Sequence, residues 1–398
     1  MTATDAAAAD AERRRTLIEA ARALVPTLGE RAVQTERDRR IARATHEAFV
    51  AAGFYRIHQP KRFGGSELGL SMMIDLAAEL GRGCGSSCWV FTNLAVQNLI
   101  LGIHYPQTQE EVWGNDGNAL IASSFPAKGG TTRKVDGGIV CDGLWSFASG
   151  VDYADWNNMQ VFVPQEGGPP QHRFALVPRA QYEVIDDWNV AGLAGTGSKS
   201  IRLKECFIPE HRTLPTTLIL GGVTPGSALN PSALYRIPPL TLGTKVFAGP
   251  ALGIARGALM AMEDELRTRK NVAGAPMCEL PTTQVRIAEA GAEIAAAWAL
   301  LVKDCDDALA IVSDGTVPDI DTRARWRLNN AFAGQLCLRA VERLHPLIGA
   351  RGLDPDSHFL RAWRDIHAAV LQFTMAWDVQ AVNAGRIRFG LPSLDPRV

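Results

Sequence analysis

The sequence predicts an α+β protein in which a helical block, a β block and a second helical block follow one another along the chain. Three observations carry this reading. From Ala6 to about Gly117 the chain is dominated by Ala, Glu, Arg and Leu, with apolar residues recurring every three or four positions. From Ala119 to about Pro209 come short runs rich in β-branched and aromatic residues, punctuated by Gly, Pro and Asp. After a Gly/Pro/Thr-rich connector, Leu218 to Pro239, helical character returns and runs nearly to the end. The blocks divide as 1–118, 119–230 and 231–398. The β-α-β alternation of a doubly wound sheet is missing, and no GxGxxG follows a strand to open a helix, so a Rossmann site for NAD(P)H is not supported.

In chain order, Leu17, Ala21, Leu24 and Leu28 give the first helix its apolar stripe. Pro60 and Gly64-Gly65 break the pattern before a more apolar helical stretch, Leu68 to Leu80. The strand segments read ALIASSF, GGIVCDGLWSFAS, MQVFVP, RFALVP, YEVIDDW and SIRLKECFIP. Asp136-Gly137-Gly138 suits a tight hairpin, because glycine tolerates the positive φ such turns need.

Of the 398 residues, 41 are Lys or Arg and 42 Asp or Glu, a formal net charge of -1 that calls for no polyanionic partner and sets nucleic acid aside. The opening MTATDAAAADAERRR lacks the apolar stretch of a secretory signal, and no run approaches the ~18 uninterrupted apolar residues of a membrane span. A cytoplasmic protein with no membrane partner is expected. Seven cysteines, an odd and scattered set, point to reduced thiols rather than a disulfide framework. Cys84 and Cys88 form the one close pair, without the ligand spacing of a metal site, and read as small buried hydrophobes.

Two loops of the β block could carry chemistry. In GLWSFASGVDYADW a strand ends at Ser149-Gly150, presenting a hydroxyl and a free backbone N–H beside Trp145, Phe147 and Trp156. A planar redox-active ring needs this mixture, since aromatic walls exclude water and a few donors fix orientation. In GLAGTGSKS, Gly192 to Ser200, three glycines permit close backbone approach while Thr196, Ser198 and Ser200 supply donors. Taken singly, each loop reads more readily as an ordinary β-turn with buried aromatics.

Together, GFYRIHQPKRFGGSELG, GLWSFASG, GLAGTGSKSIRLKECFIPEHR and LIGARGLDPDSHFLRAWRDIHAA resemble, in this order, the acyl-CoA dehydrogenase fold. The resemblance is to its oxygen-using branch, the oxygenase components of two-component flavin-dependent monooxygenases such as p-hydroxyphenylacetate hydroxylases and dibenzothiophene monooxygenases. It implies an amino-terminal helical domain, a central β-barrel domain and a carboxy-terminal four-helix bundle, assembled as a homotetramer. Acyl-CoA dehydrogenases of this fold often carry a glutamate base after an Arg-Asp pair; here Arg364-Asp365 is followed by Gln372 and Phe373, neither of which offers a carboxylate. The oxygenases often have histidine there, and on the first helical block another; this sequence has Gln372 and Asn98 in the corresponding places. An amide can only hydrogen-bond, which favours a nitrogen, sulfur or already electron-rich carbon centre over a phenol needing deprotonation. His367 is a substitute on the same stretch. On a continuous helix it would lie about 140° from Gln372, near the stripe Trp363, Ile366, Val370, Phe373 and Trp377, where a structural role is expected.

The resemblance further implies that Ser149 lies near the flavin N5 with Gly150 beside it, that Ser124 lines the pocket with Trp145 and Phe147, and that Thr196, Gly197 and Ser198 hold the cofactor. Arg269, or alternatively Arg267, meets the flavin from a bundle helix. The implied activity uses reduced FMN, or FAD, delivered by a separate flavin reductase. O2 adds at C4a to give a hydroperoxide whose distal oxygen passes to a small substrate. Ser149, Gln372 and Asn98 are the candidate catalytic residues, and no metal is expected. A dehydrogenase of the same fold and a non-catalytic flavin-binding protein are the alternatives.

Overall fold

The computed structural model describes residues 3–125 and 127–395. The first block contains α1 (Ala3–Arg37), α2 (Arg43–Ala52), α3 (Leu70–Leu80), α4 (Gly85–Ile103) and α5 (Pro106–Trp113). α2 stops at Gly53, whose φ of 76° frees its N–H to cap the carbonyls of Phe49 and Val50. α4 is long and apolar enough to cross a membrane by length and composition, yet every one of its 19 residues is buried within the fold. Cys84 caps it, its Sγ accepting from the Ser87 N–H, and the Cys88 thiol donates to the Ala77 carbonyl. These cysteines are packing groups whose thiols burial pushes up.

Among the described residues eight strands follow: β1 (Ile121–Ser124), β2 (Ala127–Val135), β3 (Gly138–Ala148), β4 (Trp156–Gln165), β5 (Gly168–Pro178), β6 (Glu183–Ile185), β7 (Lys199–Pro209) and β8 (Thr213–Pro215). The barrel-like domain is built as two four-stranded sheets, ordered β1-β4-β5-β8 and β2-β3-β7-β6. The β2–β3 hairpin pairs Val135 with Gly138, leaving Asp136-Gly137 as a two-residue turn with Gly137 at φ 75°. Trp145 sits at the centre of the β block, 1% exposed, its Nε1 donating to the Gln160 carbonyl 3.0 Å away on β4.

The last block holds α6 (Pro239–Leu242), α7 (Lys245–Thr268), α8 (Pro281–Ser313), α9 (Ile320–Ile348), α10 (His358–Val370) and α11 (Trp377–Arg388). α7, α8, α9 and α10 pack on one another as a bundle, and α3 and α4 lie against α7. Gly249, Gly253 and Gly257 recur every four residues along α7 and form the seam with the first block. A Cβ on Gly253 would stand 2.7 Å from the Gly81 Cα, and one on Gly257 2.7 Å from the Arg82 carbonyl oxygen. Backbone thus meets backbone there, at a separation that leaves no room for side chains. At the start of α7, Lys245 is fully buried, its Nζ 2.8 Å from Asp304 Oδ2 and 3.2 Å from the Trp326 carbonyl, while Asn329 donates to the other Asp304 oxygen.

The apolar stripe through residues 363–377 does not form one helix. α10 ends at Val370, and Gln372 Oε1 accepts from both the Thr374 N–H, 2.7 Å away, and its hydroxyl, 2.6 Å away. A side-chain acceptor has captured the backbone that the next helical turn would have used. Phe373 and Trp377 consequently emerge partly exposed.

Candidate functional site

The end of β3 is bent by a register shift between Trp145 and Ala148, with Phe147 at φ 66°. Such a bulge re-aims the residues after it. The Ser149 N–H folds back to the Phe147 carbonyl, and Gly150, at φ 75°, donates to the Thr196 carbonyl 3.1 Å away. A side chain on Gly150 would crowd Val90 and Leu94 of α4, so the glycine lets the strand end approach that helix. The result is a buried polar cluster. Trp89 Nε1 donates to Ser149 Oγ over 3.1 Å, Ser149 Oγ lies 2.7 Å from Ser198 Oγ, and Ser198 Oγ lies 2.7 Å from Thr196 Oγ1. Thr196 Oγ1 donates in turn to the Leu193 carbonyl at 2.8 Å. The Trp89 ring packs 5.1 Å from Phe247 of α7, so all three blocks meet at this indole.

The loop that supplies Thr196 and Ser198 is fixed from the bundle. Leu193, at φ 55°, donates its N–H to Asp365 Oδ1 of α10 over 2.6 Å. A Cβ on Gly192 would fall 2.3 Å from the Arg364 carbonyl oxygen, so this turn lies directly on α10. Burial pushes the Asp365 carboxyl up to about 6, against the pull of the Leu193 N–H; Glu36 raises it further while Arg361 and Arg364 lower it.

A second polar row lies along α4. Trp89, Asn93 and Gln97 recur at four-residue spacing on one face, and Gln97 Oε1 accepts from Asn158 Nδ2 of β4 at 2.9 Å. Beside it on β4, Asn157 Oδ1 accepts from the Ser124 hydroxyl at 2.7 Å, while Asn157 Nδ2 has no partner in its buried position. Asn98 belongs elsewhere. One residue further along the helix is turned by about 100°, and its Nδ2 donates to the Tyr55 carbonyl inside the first block. The polar residue of α4 that meets the β block is therefore Gln97, not Asn98.

Of the residues singled out in the sequence, Ser149, Gly150, Thr196, Gly197 and Ser198 come together, and Ser124 lies with Asn157 on the neighbouring strands. Trp145 is a correction: it is 1% exposed in the β core, with its N–H spent on the Gln160 carbonyl. Phe147 is 52% exposed and meets Trp188 edge-on at 6.0 Å. Gln372 is a second correction, its amide oxygen being engaged in the turn after α10. His367 stays on α10, where Nδ1 lies 2.7 Å from the Trp363 carbonyl and Nε2 3.0 Å from Glu342 of α9, a bracket between two bundle helices. Arg269 joins Glu265 to the Leu347 carbonyl, and Arg267 pairs with Asp264. The Arg269 guanidinium is engaged within the bundle, whereas the Arg267–Asp264 pair lies on the exposed face of α7. Trp89, Asn93, Gln97 and Asn157 were not singled out for this site, and Asp365 only as half of the Arg364-Asp365 pair; the four-residue spacing of Trp, Asn and Gln along α4 was the available signal for three of them.

The chain matches two family descriptions, "Acyl-CoA dehydrogenase, N-terminal domain" over residues 11–108 and "Acyl-CoA dehydrogenase, C-terminal domain" over residues 245–376. It is 34% identical to the flavin-dependent monooxygenase, oxygenase subunit HsaA, of Rhodococcus jostii (strain RHA1), over 94% of this chain and 99% of that one. It is 35% identical to the FADH(2)-dependent resorcinol hydroxylase, oxygenase component, of Rhizobium sp. (strain MTP-10005), over 90% of each. Among solved structures, the 3-HSA hydroxylase of Rhodococcus sp. RHA1 superposes with a TM-score of 0.92 at 33% identity, covering 96% of this chain and 98% of that one.

Proposed function

Since this chain belongs to the acyl-CoA dehydrogenase family, in its branch of flavin-dependent monooxygenase oxygenase subunits, we propose that its working centre is the hydroxyl cluster where Ser149, Ser198 and Thr196 meet Trp89. The enzyme is an oxidoreductase, the oxygenase component of a two-component system, using reduced flavin and O2 to oxygenate a small aromatic substrate. The observation that carries the site is the meeting of all three blocks at Trp89 and Ser149, a buried place where one hydroxyl keeps an open valence. The residues present fit a flavin. The Ser149 hydroxyl, held between Trp89 and Ser198, would offer its remaining oxygen lone pair to an N–H of the ring.

When bound, reduced flavin supplies the electrons that activate O2. The protein's residues hold it, orient the substrate and exclude water. Ser149 would hold the hydrogen at N5 of the reduced ring, guarding against loss of the oxidising equivalent as H2O2. Trp89 and Phe247 close one side with apolar surface. Gln97, held by Asn158, presents an amide rather than an imidazole, so it orients a substrate without removing its proton. A substrate ring already rich in electrons suits that arrangement.

The partner is a separate flavin reductase, and a cytoplasmic setting is part of the same reading. Phe332, Leu371, Phe373, Trp377, Val382 and Phe389 lie exposed on the last helices and their junctions, which supports self-association as a homotetramer. The test supplies the purified chain with reduced flavin and electron-rich aromatic substrates under ¹⁸O2. Incorporation of one labelled oxygen per turnover, with no turnover from NAD(P)H alone, is the expected result. NAD(P)H oxidation by the isolated chain would refute the two-component reading.

A further inference from the structure

The direction of every hydrogen bond in the buried cluster can be worked out from its ends. A carbonyl oxygen carries no hydrogen, so the 2.8 Å contact between Thr196 Oγ1 and the Leu193 carbonyl is made by the Thr196 hydrogen. The 2.7 Å contact from Ser198 to Thr196 then takes the Ser198 hydrogen, and the 2.7 Å contact from Ser149 to Ser198 takes the Ser149 hydrogen. Three hydroxyls have three hydrogens, and all three are used. At the other end, the indole N–H of Trp89 can only donate, and it fills one lone pair of Ser149 Oγ over 3.1 Å. What Ser149 has left is a single lone pair. It is an acceptor with no hydrogen to give.

The geometry points to a selector for the oxidation state of the flavin, set by Trp89, Thr196 and Ser198 acting through Ser149. This rests on the reading that Ser149 faces N5. In a reduced flavin N5 carries a hydrogen and matches the free lone pair. In an oxidised flavin N5 presents a lone pair of its own, and two lone pairs facing each other in a dry site repel. The chain of hydroxyls therefore holds the reduced cofactor and disfavours the oxidised one, so that the spent ring is released. Leu193, the terminal acceptor, is itself fixed by Asp365, which anchors the direction of the whole chain from the bundle. Ser198 and Thr196 are positioning residues here, since neither needs to touch the ring.

The test is anaerobic titration of the full chain with oxidised and with reduced flavin. Ser198→Ala releases the Ser149 hydrogen, which can then turn toward N5 of the oxidised ring. Oxidised flavin is expected to bind about ten-fold more tightly than in the wild type, the worth of one neutral hydrogen bond, with the affinity for reduced flavin unchanged. A structural role for Ser198 would weaken both forms together, and that result, or an unchanged preference, overturns the inference. Should Ser198→Ala fail to fold, Thr196→Val removes the next acceptor in the chain and is expected to shift the preference the same way. Ser149→Ala separates the two readings. Weaker binding of reduced flavin alone keeps Ser149 at N5 whatever Ser198→Ala shows, whereas no change in either form removes Ser149 from the cofactor and both readings fall.

Discussion

Replacing Asp365 by Asn tests the bundle's hold on the site loop through its proton linkage. Burial beside the start of α4 and the Gly192–Ser200 loop raises the Asp365 carboxyl from the usual 3.8 to about 6. Between those values the folded chain holds a proton that the unfolded chain has released, so stability falls as pH rises through this window. A difference of about two pKa units corresponds to about 3 kcal/mol, fully incurred by pH 7. Three histidines pull the other way. Burial lowers His58 and His358 to about 4 and His104 to about 3, so their contribution is complete above 6.5 and is lost as pH falls. They are present in both proteins and drop out of the difference. Urea denaturation followed by tryptophan fluorescence from pH 4 to pH 7.5 should therefore give a wild-type-minus-variant curve that declines by about 3 kcal/mol with rising pH. Asn keeps an oxygen for the Leu193 N–H, so the loop should stay latched; Asp365→Ala removes it and should cost about 1–3 kcal/mol more than Asp365→Asn at every pH. Parallel curves for wild type and Asp365→Asn would show that this carboxyl does not retain a proton in the fold.

Lys245→Met strands the buried Asp304 carboxylate and should destabilise the fold by about 3–5 kcal/mol, while Lys245→Met with Asp304→Leu should recover most of that loss in the same denaturation assay. Gln97→Ala should lower kcat/KM by the equivalent of about 1–3 kcal/mol with flavin affinity intact, whereas Asn98→Ala should act on stability through the Tyr55 carbonyl. Steady-state kinetics on the two variants would expose a wrong choice of face if their effects were exchanged. His367→Ala removes a bracket between α9 and α10 and should lower stability more than turnover.

The order of the blocks was legible because composition and periodicity are local properties, and the change at Ala119 is abrupt. The hairpin at Asp136-Gly137 was legible for the same reason. Misreadings arose wherever a particular contact, rather than composition or period, decided. Nothing between Trp363 and Trp377 breaks a helix by composition; the break is a single amide oxygen competing for the Thr374 N–H. Gln97 and Asn98 are neighbours with similar chemistry, and only the packing of α4 shows which one meets β4. Trp145 stands two residues before the bulge and looked like a wall of the site, but the pleat sends it into the β core. Asp365 is joined to a backbone N–H 172 residues away, and no local pattern announces such a bond.

The glycine seam along α7 has a consequence for how the chain can be cut. α3 and α4 precede the β block in sequence and α7 follows it, so the helices that touch at Gly81 and Gly253 lie on opposite sides of the connector. Within that connector Val223 is 83% exposed, directly after Gly221 and Gly222 at φ 117° and 88°, which makes it an accessible point for a protease such as thermolysin. Cleavage there severs the covalent link and leaves the seam untouched. The two fragments should co-elute under native conditions, separate only in denaturant, and reassemble on its removal.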